Sequence, residues 1–253
     1  MDRNCPICQS ENREIVTAFE GYDGIYHPAE CEKCGFLFLI DPREETASRT
    51  LEAPNSIPSP KRRHYYITRL ITNHIPKGSN VLEIGSGFGE LGKLLEQFEY
   101  DYRGYEPSVK RADVAADGGL DVISDVYEFE GREYDTVILD NVLEHVTDPH
   151  SVFQDAAKSL SKNGIILTIV PNRYDVRRLY PPWNEENFFQ SSHINYFRSI
   201  DLERLYNSAG ISMTSFDRST FGFEEKKDAA FWATSFITNR GVYPFGLYCY
   251  GKN

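Results

Sequence analysis

The 253-residue chain is 40% hydrophobic, 13% aromatic and 26% charged, the profile of a folded globular protein with room for one medium domain and a small appendage. No apolar run approaches the ~20 residues of a membrane span, and the polar start MDRNCPICQS lacks the apolar segment of a secretory leader, which points to the cytoplasm and away from membranes. A formal net charge of −11, from 27 basic and 38 acidic residues, works against a nucleic-acid partner even with a basic patch at Lys61-Arg62-Arg63, so a small or neutral partner is expected.

Three segments separate by composition. Residues 1–40 hold two CxxC pairs, Cys5-Pro6-Ile7-Cys8 and Cys31-Glu32-Lys33-Cys34, and end in a strand-like run from Phe36 to Ile40. In a reducing compartment such pairs read as metal ligands rather than disulfides. Four thiolates from Cys5, Cys8, Cys31 and Cys34 close a tetrahedral Zn²⁺ shell and leave no open position for chemistry, so the module is expected to be structural and zinc-ribbon-like. A redox pair is the alternative. His27 is read as a surface or interdomain residue, and Cys249, in the apolar stretch YPFGLYCYG, as a buried small hydrophobe. Residues 41–60 carry four prolines and read as a linker.

Residues 61–253 alternate helix and strand signals. A helix from Lys61 to His74 precedes a strand from Asn80 to Ile84, which breaks into Gly85-Ser86-Gly87-Phe88-Gly89. A helix (Glu90–Phe98), a strand (Tyr102–Glu106), a helix (Ser108–Ala116) and a short strand (Asp121–Ile123) follow. Then come a strand at Asp135–Leu139, a helix at Ser151–Leu160, and an apolar strand at Ile165–Val170 after an Asn163-Gly164 turn. A helix from Ile200 to Ala209 stops at Gly210, and strands at Ile211–Phe216 and Phe245–Tyr250 close the chain. This order predicts a doubly wound α/β domain around a mostly parallel seven-stranded sheet, with an insertion at about residues 172–199.

In such a sheet the first strand-to-helix turn delivers backbone N–H groups to a ligand. The spacing here is GxGxG rather than the GxGxxG of a dinucleotide site, and Glu83 stands two residues ahead of Gly85. A carboxylate in that place repels a pyrophosphate and suits a cationic ligand. S-adenosylmethionine (SAM) carries an ammonium and a sulfonium and no phosphate. Glu106, ending the second strand, is placed to accept the two ribose hydroxyls, and Asp125, after the third, to meet the adenine amino group.

The segments VLEIGSGFGELGKLL, YRGYEPS, YDTVILDNVLEHVTDP and NGIILTIVPN, spread over roughly residues 61–217, resemble the motif series of class I SAM-dependent methyltransferases. The likeness is nearest to the branch holding the ubiquinone-type and the sugar or natural-product enzymes. The resemblance implies a Rossmann-like fold, a cofactor loop of Glu83, Gly85, Ser86, Gly87 and Gly89, a ribose contact at Glu106 and Pro107, and Asn141 facing the methionine part. Glu rather than the commoner Asp at position 83 keeps the charge and changes only reach. The cysteine module resembles the zinc-binding segments of some sugar methyltransferases, where it would cover the acceptor side or form a homodimer contact.

Methyl transfer is an in-line displacement, so the protein mainly aligns its reactants and, for a hydroxyl acceptor, removes a proton. His145, in Leu143-Glu144-His145 after the fourth strand, is the favoured base, with Glu144 beside it. His193, in QSSHINYF, is the second candidate; its insertion is rich in aromatics (Tyr180, Trp183, Phe188, Phe189) and is either a lid or ordinary core. The expected reaction is methylation of a small acceptor such as a sugar nucleotide or secondary metabolite, at oxygen first and at nitrogen or carbon as alternatives. RNA methylation through the zinc module and a non-catalytic SAM-binding scaffold are the alternatives.

Overall fold

The computed structural model describes residues 3–21, 24–42, 54–125, 133–174, 189, 191–215, 242–243 and 246–253. Most of the expected linker, and Tyr180, Trp183 and Phe188 of the expected insertion, lie outside them.

The N-terminal part contains β1 (Arg13–Ile15), β2 (Phe19–Gly21), β3 (Gly24–Tyr26), β4 (Pro28–Cys31) and β5 (Leu37–Leu39). The α/β part runs α1 (Arg62–His74), β6 (Asn80–Ile84), α2 (Glu90–Gln97), β7 (Asp101–Tyr105), α3 (Val109–Asp117), β8 (Val122–Ile123), β9 (Tyr134–Asp140), α4 (Pro149–Lys158) and β10 (Leu160–Val170). It ends with β11 (Asn195–Tyr196), α5 (Ser199–Ser208), β12 (Ser212–Ser215), β13 (Val242–Tyr243) and β14 (Gly246–Lys252).

The large sheet has the order β12-β14-β10-β9-β6-β7-β8, with β13 pairing β14 off that path. β8, β7, β6, β9 and β10 pair in parallel, and β14 enters antiparallel between β10 and β12. The chain leaves β6 for one side of the sheet and later returns to its other side as β9, so the switch point lies between β6 and β9. Ligands of open α/β sheets bind at the carboxyl ends of the strands flanking that point. Val81, Leu82, Val137, Ile138, Leu139, Ile166 and Leu167 are buried between helices packed on both faces, which is why these strands read as unbroken apolar runs.

Two boundaries move for local reasons. α4 starts at Pro149, ahead of the expected Ser151, because the Asp148 carboxylate accepts from the Ser151 N–H at 3.0 Å and proline suits the first helical turn. β10 starts at Leu160 and absorbs the expected Asn163-Gly164 turn as an irregularity between Leu160 and Ile165, with Asn163 in the left-handed region (φ 68).

The small sheet has the order β1-β4-β5-β11, so the cysteine module shares a sheet with residues of the expected insertion. Asn195 pairs with Phe38 and Tyr196 with Leu37. The Phe36 and Phe197 rings meet edge to face at 5.2 Å, and both belong to the apolar cluster that runs under β9 and β10. Among the described residues, no helix is long and apolar enough to cross a membrane.

Candidate active site

The glycine loop connects β6 to α2, with Gly85 (φ 76), Gly87 (φ 59) and Gly89 (φ 88) all in the left-handed region that only glycine enters at little cost. Space makes the same demand. A Cβ on Gly85 would lie 2.6 Å from Val142 Cγ2, and one on Gly89 would lie 2.4 Å from Leu120 Cδ1. The loop is tied to the next strand: the N–H groups of Gly85 and Ser86 donate to the Tyr105 carbonyl at 2.7 and 3.1 Å.

Glu106 braces the turn from below. One of its oxygens accepts from the Gly87 N–H at 2.9 Å and the other from the Ser108 N–H at 3.0 Å. Each carboxylate oxygen keeps a further lone pair, so the group can still accept from hydroxyls. Pro107 is exposed beside it, and Asp125 is exposed just past β8.

Glu83 lies near the end of β6, two residues ahead of Gly85. It is only 4% exposed and accepts from the Tyr102 hydroxyl at 2.7 Å. Burial drives its pKa well above the usual carboxylate range, although the Tyr102 bond opposes the shift. A second buried acid, Asp140 at the end of β9, accepts from Arg63 Nε at 3.1 Å and from Asn141 Nδ2 at 2.8 Å. Burial raises its pKa too, against the pull of Arg63. Sequence reasoning missed Asp140 and Arg63; a strand-terminal acid in ILDN, parallel to Glu83 in VLEI, is the available signal. Asn141 sits in the left-handed region (φ 55), and its N–H donates to the Ile169 carbonyl at 2.9 Å.

The fourth-strand loop brings Glu144, His145 and His193 together. The two imidazoles lie 4.9 Å apart, edge to face. His145 Nδ1 lies 2.6 Å from the Ser192 carbonyl oxygen. A carbonyl only accepts, so Nδ1 carries the hydrogen and Nε2 of the neutral ring keeps a free lone pair. Burial lowers the pKa of His145, and it lowers that of His193 to about 4, so both rings are neutral at pH 7. Glu144 is 1% exposed, neither of its oxygens has a hydrogen-bond partner among the described residues, and Oε1 lies 3.8 Å from His145 Nε2. Burial pushes its pKa up to about 8. One ligand atom from each of the three residues falls within 4.8 Å of the others, close enough to share a cation.

The four cysteine sulfurs also lie within 4.8 Å of one another, with Cys5–Cys34 at 3.6 Å and Cys8–Cys31 at 3.5 Å. Tetrahedral Zn–S bonds of about 2.3 Å put sulfurs roughly 3.8 Å apart, so the residues fit a tetrathiolate zinc. Both knuckles turn through a left-handed residue after the second cysteine, Gln9 (φ 58) and Gly35 (φ 71). His27 stands outside this shell and pairs with Asp41 at 2.9 Å. Cys249 is buried on β14, its thiol pushed up to about 12 by burial.

With this geometry in place, a family model described as a methyltransferase domain matches residues 60–215. The chain belongs to that family. It is 25% identical over 162 residues to an uncharacterized protein of Methanocaldococcus jannaschii, covering 62% of this chain and 76% of that one. A SAM-dependent methyltransferase from Archaeoglobus fulgidus superposes with a TM-score of 0.53 at 14% identity, over 75% of this chain and 94% of that one. The plantazolicin methyltransferase BamL, solved with S-adenosylhomocysteine (SAH) and a triazolic desmethylPZN analogue, superposes with a TM-score of 0.55 at 13% identity, over 76% of this chain and 83% of that one.

Proposed function

We propose that this methyltransferase moves the methyl group of SAM to a hydroxyl of a small acceptor, a sugar nucleotide or secondary metabolite, with His145 as the base. SAM supplies the electrophilic carbon. The glycine loop, Glu106 and Pro107 hold its ribose side, Asn141 faces its methionine part, and Asp125 lies toward its adenine. The observation that carries the reading is the fixed tautomer of His145: Ser192 occupies Nδ1, so a neutral ring presents Nε2 as a proton acceptor. His193 stands beside it as a contact for the acceptor, and the four cysteines hold a structural zinc. The net charge of −11 disfavours RNA as the acceptor.

The unpartnered Glu144 carboxylate favours one second reading, in which Glu144, His145 and His193 take a divalent cation that orients the acceptor. Calorimetry should show binding of SAM and SAH but not NAD, and mass spectrometry should detect methylation within a panel of nucleotide sugars. His145→Ala should then lower kcat roughly 10²–10⁴-fold with SAH affinity unchanged, while His193→Ala raises the acceptor KM at least as much as it lowers kcat. Tight NAD binding overturns the assignment. Normal turnover by His145→Ala removes the base, and activity lost to a chelator and restored by Mg²⁺ or Mn²⁺ supports the cation.

A further inference from the structure

Arg3 lies near the start of the chain, yet its guanidinium joins three distant stretches. Nε donates to the Leu39 carbonyl at 2.7 Å, Nη1 to the Thr147 carbonyl at 3.0 Å, and Nη2 to Asn195 Oδ1 at 2.9 Å and to the Ile194 carbonyl. Its charged carbon stands 5.3 Å from the centre of the Phe38 ring. Among the described residues no carboxylate pairs with it, and burial pulls its pKa down to about 10. Keeping an unpaired cation in such a place is costly unless its donors are used, and here three of its four side-chain bonds go to the loops beside the two histidines and one to β5.

The same loops are also fastened to each other by Asn195. Its Nδ2 donates to the Leu143 and Val146 carbonyls, both at 2.7 Å. The Ile194 and Asn195 N–H groups donate to the Glu144 carbonyl at 2.8 and 3.2 Å. The carbonyls of Leu143, Glu144, Val146 and Thr147, on both sides of His145, are thus all held by Arg3 or by residues 194–195. Arg3 is itself fixed by the cysteine module, through its N–H to the Ile40 carbonyl at 2.9 Å and its place two residues before Cys5. Further along, Arg198 and Arg204 donate to the Cys34 carbonyl at 2.8 and 3.2 Å, and Arg173 donates to the Gly35 carbonyl at 2.7 Å.

We infer that Arg3 is a positioning residue through which the folded four-cysteine module holds His145 and His193 edge to face, so that the acceptor side is assembled only while the module is intact. The inference rests on reading the two histidines as the acceptor side. Its test follows backbone order and is separate from turnover.

The experiment is amide hydrogen exchange on the full-length protein, with zinc content and SAH calorimetry measured on the same samples. In Arg3→Met the Ile194, Asn195 and His145 amides should exchange at least about tenfold faster, as expected for losing several bonds to a charged donor. Amides of β6 and α2 and the affinity for SAH should not change. Arg3→Lys, which keeps the charge and part of the donor set, should recover part of the protection. Wild-type exchange at 194–195 in a zinc-loaded Arg3→Met protein overturns the inference. Should Arg3→Met shed its zinc, Asn195→Ala leaves every cysteine in place and carries the test. It should speed exchange at His145 with zinc retained, and unchanged exchange there likewise refutes the clasp. Loosened loops with unaltered methyl transfer would instead remove the histidines from the acceptor side.

Discussion

The glycine loop is held by bonds between neighbouring strands, the Glu106 contacts reaching 2 and 19 residues along the chain, whereas Arg3 clasps the histidine loops across 144 to 192 residues. The first arrangement needs only β6, β7 and the turns after them. The second needs the cysteine module, the fourth-strand loop and the segment around β11 to be folded together. The glycine loop is therefore built within the α/β domain, whereas the histidine pair is held by the cysteine module and the α/β domain together. Loss of the module should leave the glycine loop in place and release the histidine loops.

Cys31→Ser should have the largest effect. Tetrathiolate sites contribute roughly 10–16 kcal/mol of apparent binding energy in small zinc-dependent folds, so the variant should lose its metal, about one zinc per chain in the wild type, and with it the order of β1, β4 and β5. SAH binding should remain, because among the described residues no hydrogen bond of the glycine loop reaches the module. Metal analysis beside calorimetry checks both halves of the statement. If SAH affinity collapses together with the zinc, the two regions are one cooperative unit and the contrast disappears.

The converse variant, Glu106→Ala, should weaken SAH by roughly 1–3 kcal/mol, the range for lost hydrogen bonds to a charged group. It frees the N–H groups of Gly87 and Ser108 that the carboxylate now satisfies. Zinc content and amide protection at 194–195 should stay at wild-type values. A change in either would show that strain in the glycine loop reaches the histidines.

The same contrast explains what the sequence makes legible. The strand from Asn80 to Ile84, the glycine loop and the helix after it are readable because apolar runs, glycine spacing and helix stops are local signals. The four cysteines are readable because two CxxC pairs are themselves a local spacing signal, and the fold brings their sulfurs together. Arg3 gives no such signal: nothing in MDRNC says that a guanidinium is needed between residues 147 and 194. Asn195 is equally silent, since its two carbonyl partners lie 52 and 49 residues away. Glu83 is legible as an acid ahead of the loop, but its partner Tyr102 stands on the adjacent strand, 19 residues away, and gives no local signal. Short β1 to β4 escape periodicity altogether, having three or four residues each.

The smallest expected effect concerns Glu144, and it bears on what the histidine pair holds. Its folded pKa of about 8 lies above the ordinary carboxylate value, so the folded state keeps a proton that the unfolded chain has already released. That contribution to stability is full below the unfolded value and is lost as pH rises through about 8. His145 and His193 have the opposite sign, since their lowered pKa values cost stability only as pH falls below the ordinary imidazole range. Between about pH 6.5 and 8 the slope from this cluster is therefore that of Glu144 alone, up to ~2 kcal/mol at ~1.4 kcal/mol per pH unit. Glu83 adds a slope of the same sign, so Glu144→Gln should flatten the fall in unfolding free energy with pH without abolishing it. Denaturant titrations at several pH values in that window, on both proteins, give the difference. A divalent cation bound by Glu144, His145 and His193 would hold the carboxylate ionised at pH 7 and erase the slope that Glu144→Gln is meant to remove. An unchanged pH dependence in the variant thus argues for the cation, and a flattened one for a buried acid beside a neutral base.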